Sequence, residues 1–187
     1  MTVADLMKKL GIETYVEFSL NGTEPEQRIR GFCEANKCGN YGKNHMCPPY
    51  VGTLDEIAAK LRTYRRGILM QYVKHLDVHN DKVGLRRSRN EFLMKALQIE
   101  KYLQETGITQ LWTLVGGCCG VCDICTATVG LPCRHPEQAR MPMEGLGIDV
   151  LALLERVGLD NRFHDDKVTW SACILVSDIG GPSLLDI

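Results

Sequence analysis

The sequence lacks an excess of charge: 22 Lys and Arg stand against 23 Asp and Glu in 187 residues, a net charge of −1 with neutral histidines. That balance sets up no long-range field, so neither nucleic acid nor an anionic membrane is an expected partner. Long apolar runs are also missing. Gly67-Ile68-Leu69-Met70 and Ile174-Leu175-Val176 are typical, far short of the roughly 20 residues that span a bilayer. Met1 to Leu10 carries Asp5, Lys8 and Lys9 among its apolar positions. It offers no continuous apolar stretch and no small-residue cleavage site, and reads as mature, cytoplasmic sequence. There is no Gly-rich phosphate loop, dinucleotide fingerprint or serine or cysteine nucleophile motif. The C-x3-C-x2-C spacing that resembles radical S-adenosylmethionine enzymes is absent too. No repeat, low-complexity tract or linker divides residues 1–187, which read as one domain.

What the sequence has instead is nine cysteines. A chain of this length buries roughly 70% of its unfolded surface and builds a core without disulfide staples. The count is odd and Cys118 adjoins Cys119, which suits paired bridges poorly. In a reducing compartment such clusters point to metal or redox chemistry.

Apolar spacing and capping residues predict four helices. One opens at Thr2-Val-Ala-Asp5, and one is capped by the box Thr53-Leu-Asp-Glu56. A third runs from Leu85 to Glu105, with Phe92, Leu93, Ala96, Leu97 and Leu103 inward and Glu91 and Lys95 paired outward. The fourth runs from Asp149 to Gly158. Four strands are expected at Thr14 to Leu20, Gly67 to Lys74, Thr109 to Val115 and Val168 to Val176. The alternation predicts an α/β or α+β fold: a single layered domain with a four-stranded sheet, covering helices and two Cys-rich loops. Those loops, Arg30 to Pro49 and Gly116 to Pro142, follow the first and third strands. They leave one sheet edge together if the two strands run parallel.

The sharper constellation is Cys119-x2-Cys122-x2-Cys125-x7-Cys133. Two-residue gaps turn three thiolates toward one centre, and a fourth after a longer excursion closes a cage of the kind that ferredoxins use for a 4Fe-4S cluster. Structural zinc usually takes two separated pairs, and zinc is the alternative here, with unliganded thiols a third reading. The second group is Cys33-x4-Cys38-x8-Cys47-Pro48-Pro49. Three thiolates leave a metal one ligand short, to be supplied by His45, Cys118, Cys173, a bound molecule or another chain. The site is either open to substrate or closed and structural.

These residues resemble the bacterial and archaeal family of predicted metal-binding proteins of unknown function. The match rests on Cys33, Cys38, Tyr41-Gly42 and Cys47-Pro48-Pro49 at one end. At the other it rests on Cys119, Cys122, Cys125, Pro132-Cys133-Arg134-His135-Pro136-Glu137 and Met143-Glu144-Gly145-Leu146-Gly147-Ile148-Asp149-Val150. It departs at Arg140-Met141-Pro142, where the family more usually reads Arg-Pro-Ser. The resemblance implies metal binding, with an iron–sulfur cluster as the expected form, and supplies no reaction.

Arg134 is placed either beside the cluster or in a salt bridge to Glu137 or Glu144. Glu144 and Asp149 read as structural. Lys82, Arg86, Arg87 and Arg89 read as a solvated helix face, with docking of an acidic redox partner or a phosphate as the alternative. His75, His79 and His164 read as surface or core histidines. The expected function is that of an iron–sulfur protein with one or two 4Fe-4S clusters, serving electron transfer to a redox partner protein or a small redox reaction at the second site. A non-redox zinc protein and a metal-handling protein are the alternatives, and a homodimer is expected.

Overall fold

The computed structural model describes residues 1–177 and 181–187. The elements run α1 (Val3–Lys9), β1 (Thr14–Ser19), α2 (Gln27–Glu34), α3 (Leu54–Leu61), β2 (Arg66–His75), α4 (Lys82–Glu105), β3 (Leu111–Val115), β4 (Met141–Pro142), α5 (Val150–Arg156) and β5 (Lys167–Val176). Short 3-10 turns at Thr126–Val129 and Glu144–Leu146 sit between β3 and α5. No helix among the described residues is long and apolar enough to cross a membrane.

Side-chain hydroxyls and carboxylates set the helix starts. Thr2 and Asp5 form a reciprocal box at α1, and Thr53 and Glu56 do the same at α3. Asp81 caps α4 through the Gly84 N–H, and Asp149 caps α5 through the Ala152 N–H. Each cap satisfies an N–H that would otherwise be orphaned in the first turn.

The sheet has the order β1-β2-β5-β3-β4. All pairings are antiparallel except β3 with β4, so the fold is α+β. The fifth strand is only Met141–Pro142, paired to Leu114 and Val115, too short to leave a period in the sequence. Alternation along β2 and β5 divides the core. Ile68, Met70, Tyr72, Ala172, Ile174 and Val176 face α1 and α4. Leu69, Cys173 and Leu175 face the layer built with Ile57, Leu61, Leu153 and Leu154 of α3 and α5.

Two expectations need correction. The segment read as loop from Arg30 onward begins inside α2, which carries Ile29 and Arg30 buried and Cys33 one turn after Ile29. Eight residues with Gly31 in the middle and no side-chain cap at Glu26 give a weak helical signal. Next, β1 and β3 run in opposite directions, because each is separated from the other by β2 and β5 in an alternating ladder. The cysteine segment after β1 therefore starts at the wrong end of the sheet, and α2 with the chain beyond it carries the thiols back to the end of β3.

Candidate metal centre

The return path is fixed by backbone contacts. The Glu26 N–H donates to the Gly147 carbonyl at 2.8 Å, docking the start of α2 beside the turn Glu144–Leu146. Gly147 has φ +84°, and a Cβ there would lie 3.1 Å from the Glu26 nitrogen. Only glycine meets both demands. After α2 the chain closes on itself: the Gly42 N–H donates to the Pro48 carbonyl at 2.9 Å and Asn36 Oδ1 accepts from the Tyr41 N–H at 3.0 Å. The Pro48–Pro49 peptide is cis.

Asn44 joins the two cysteine segments. It is buried, and its Nδ2 donates to the Cys119 carbonyl at 2.8 Å while Oδ1 accepts from the Met46 N–H. Nothing in the cysteine spacing marks this residue; its only sequence signal is an amide side chain within the eight-residue gap before Cys47. On the other side, α4 grips the glycine turn. Asn90 Nδ2 donates to the Gly120 carbonyl at 2.8 Å, and Arg89 Nη1 donates to Cys118 Sγ at 3.0 Å. A Cβ at Gly120 would sit 2.3 Å from Arg89 Nη2 and 2.5 Å from Asn90 Oδ1, so both side chains would have to shift to admit one.

Between these supports the thiols fall into two sets. Cys119, Cys122, Cys125 and Cys133 line one small cavity of about 20 Å³, together with His45, Met46 and Arg134. Burial pushes the Cys119 thiol up; the Val121 N–H on its sulfur opposes this, and Cys133, Cys122 and Cys125 push it further up. The second set is built around Cys47. Burial first, then Cys118, Cys38, Cys33 and Cys119, push its thiol up to about 12. Cys33 is raised by burial and by Cys38, and its Sγ lies 4.0 Å from the Glu144 carbonyl. Among the described residues no three His, Cys, Asp or Glu side chains form a group that could hold a single metal ion. The cavity walls of the first set contain no carboxylate; four thiols stand there with the imidazoles of His45 and His135, a sulfur-rich donor set that suits thiophilic metals and sulfide clusters.

The structure separates the candidates offered for the fourth position beside Cys33, Cys38 and Cys47. Cys118 is the thiol with the greatest effect on Cys47 after burial itself. His45 belongs to the other cavity, where Nε2 donates to the Leu131 carbonyl at 2.8 Å. Cys173 lies in the apolar layer under α3 and α5, against Met143, and burial alone raises its thiol.

Several polar residues lie elsewhere than their sequence neighbourhoods indicate. Arg134 makes neither expected salt bridge among the described residues; it donates to the Ile124 carbonyl at 2.5 Å and closes the loop that holds Cys125. Arg140 forms a two-pronged bond with Glu100 of α4, at 2.7 and 2.9 Å. The basic stretch at the start of α4 is not simply a solvated face, because Arg86 pairs with Asp123 and Arg89 reaches Cys118. Glu91 and Lys95 pair at 3.7 Å, as their spacing predicts, but Lys95 also reaches the Leu10 carbonyl and Glu91 accepts the Tyr72 hydroxyl. Asp149 caps α5 and pairs with Arg28 at 2.6 Å; the Ala152 N–H first and then Arg28 hold its carboxyl below the usual range. His79 and His164 are paired with Asp165 and Asp160.

A family model described as predicted metal-binding protein (DUF2284) matches residues 2–176, a span that includes every cysteine. No curated protein and no solved structure matches the chain.

Proposed function

The chain belongs to this family of predicted metal-binding proteins, and on that premise we propose that it is an iron–sulfur electron-transfer protein. One 4Fe-4S cluster is held by Cys119, Cys122, Cys125 and Cys133. A second metal centre is held by Cys33, Cys38 and Cys47, with Cys118 as its fourth thiol. The observation that carries this reading is the convergence of four thiols on one cavity without a carboxylate. The effect of Cys118 on Cys47 supports Cys118 as the fourth ligand of the second set.

Thiolate-bound iron–sulfur clusters supply one-electron transfer at a potential set by charge, hydrogen bonding and exposure. The chain's own residues act on each of these. The Val121 N–H and the Arg89 guanidinium donate to cysteine sulfurs, which favours added negative charge. Met46 and Ala139 supply apolar wall beside the first set. Ile124, Val129 and Leu131 stand exposed near it, and a redox partner protein in the cytoplasm is the proposed acceptor.

The test is iron, zinc and acid-labile sulfide content, with a visible spectrum, on protein purified without oxygen. About eight iron and eight sulfide per chain is the result expected for two cubane clusters, and about four of each leaves the second centre to another metal. Zinc without sulfide overturns the redox reading in favour of metal-stapled loops.

A further inference from the structure

Two arginines stand against the second thiol set without an acid to pair with. Arg30 is only 7% exposed and lies one turn before Cys33 in α2, a spacing that puts the two side chains on one face of the helix. Its Nη1 donates to the Gly52 carbonyl at 3.2 Å, which ties α2 to the segment after Cys47. Its Nε and Nη2 are buried with no hydrogen-bond partner among the described residues. Arg89 of α4 reaches the set through Cys118: Nη1 donates to Cys118 Sγ at 3.0 Å, and Nε is buried without a partner among the same residues.

The ion pairs formed among the described residues include neither guanidinium. The acids one turn to either side of Arg30 are engaged elsewhere, Glu26 by Arg28 and Glu34 by the Gln27 amide. Burial pushes the Glu144 carboxyl, which also acts on Cys33, toward its uncharged form. Cys33 exerts the largest electrostatic pull on Arg30, ahead of Glu34 and Tyr41.

A guanidinium keeps its charge at any physiological pH, so burying one against a single carbonyl costs more than that bond returns. An anion formed nearby offsets the cost. Metal binding makes such an anion, because it displaces protons from thiols, and four thiolates around a divalent ion carry two negative charges in excess. Two guanidiniums match that excess.

Taking Cys33, Cys38, Cys47 and Cys118 as one centre, the reading on which this rests, we propose that Arg30 and Arg89 are its counter-charges. The loaded centre is therefore a doubly anionic, all-thiolate complex, as four thiolates make around a divalent ion or an oxidised 4Fe-4S core. Neither arginine ligates the metal; each stabilises the thiolates that do. A neutral fourth ligand such as imidazole or water would leave one guanidinium unmatched.

Cobalt(II), whose thiolate complexes absorb visible light, is the probe. It is titrated against a competing chelator into metal-free full-length protein prepared without oxygen. The absorption that Cys47→Ala removes belongs to the second set. On that signal Arg30→Met and Arg89→Met each bind cobalt about tenfold more weakly than the wild type, for loss of one interaction between a cation and a charged sulfur. Arg30→Lys, which keeps the charge, recovers most of the loss. Absorption from the first set at wild-type strength shows that a variant is folded. Unaltered affinity in Arg30→Met overturns the proposal, and so does an Arg30→Lys protein as weak as Arg30→Met, which would make Arg30 a packing residue. Arg89→Met decides the matter if Arg30→Met fails to fold, since unaltered affinity there overturns the proposal as well. If Cys47→Ala removes no absorption, the second centre itself is overturned and the proposal with it.

Discussion

Cys118 and Cys119 are joined by one peptide bond and meet different neighbours. Cys118 acts on Cys47 and accepts a hydrogen bond from Arg89, while Cys119 shares its cavity with Cys122, Cys125 and Cys133. The peptide between them is held from outside by Asn44, whose Nδ2 binds the Cys119 carbonyl. Centres bound there are neighbours in space, with this dipeptide as the shortest covalent path between them.

Single substitutions separate the two sets. Cys118→Ala and Cys47→Ala are each expected to remove metal from the second set and leave about four iron per chain at the first. Cys119→Ala does the reverse, and Cys173→Val leaves the content at its starting level. Iron and sulfide analysis of the four proteins checks this; a loss in Cys173→Val as large as that in Cys118→Ala would sink the assignment.

Arg89 places a positive charge on Cys118 Sγ at 3.0 Å. A cation favours the reduced, more negative state, so Arg89→Met lowers the midpoint potential of the adjoining centre. One charge-assisted hydrogen bond corresponds to roughly 60 mV for a one-electron couple. Redox titration followed by visible absorption reads the shift, and Arg86→Met, whose guanidinium pairs with exposed Asp123, serves as the control that moves little.

Arg140 and Glu100 form a largely shielded ion pair, with 16% and 12% of their side chains exposed. It ties the segment after Cys133 to α4. Glu100→Gln leaves the guanidinium without its counter-charge and costs about 3 kcal/mol. In a chain of this size that lowers the melting temperature by roughly 6–12 °C. Thermal unfolding followed by circular dichroism measures it; an unchanged melting temperature would place the strength of this junction elsewhere.

Asp160 accepts from His164 at 2.9 Å and from Arg162, and these bonds hold its carboxyl down to about 2 against an ordinary value of 3.8. A depressed folded-state pKa contributes stability above pH 3.8 that is lost as the pH falls toward 2. Urea unfolding of the wild type and Asp160→Asn from pH 5 to pH 2 therefore shows a gap that closes across that interval. A gap independent of pH would mean that the carboxylate's charge contributes nothing.

Much of the scaffold is written in local chemistry. The capping boxes at Thr2 and Thr53, the caps of α4 and α5 and the alternation of β2 and β5 are readable because each depends on residues close in sequence. The unread parts depend on distant partners. α2 is held by Gly147, more than a hundred residues away, β4 exists only as an addition to β3, and Arg89 finds Cys118 only after α4 packs on the glycine turn. The direction of β1 relative to β3 is set by the intervening β2 and β5, which no motif in either cysteine segment encodes. The cysteines are legible as two groups with Cys118 left over, and the contact of Cys118 with Arg89 is not legible, because it forms across 29 positions of the chain.

The proposed use of Cys118 as the fourth ligand beside Cys47 also implies an order of events at the ribosome. Seventy-one residues separate the two, and at roughly 5–20 residues per second the fourth thiol leaves synthesis about 4–14 seconds after the third. During that interval the nascent chain carries an unfinished set of three sulfurs, β3 arrives only at its end, and β5 is still to be made. Maturation of this centre is therefore a late event that waits for the second half of the chain, and a delivery system acting on the emerging N-terminal segment alone would meet an acceptor one ligand short.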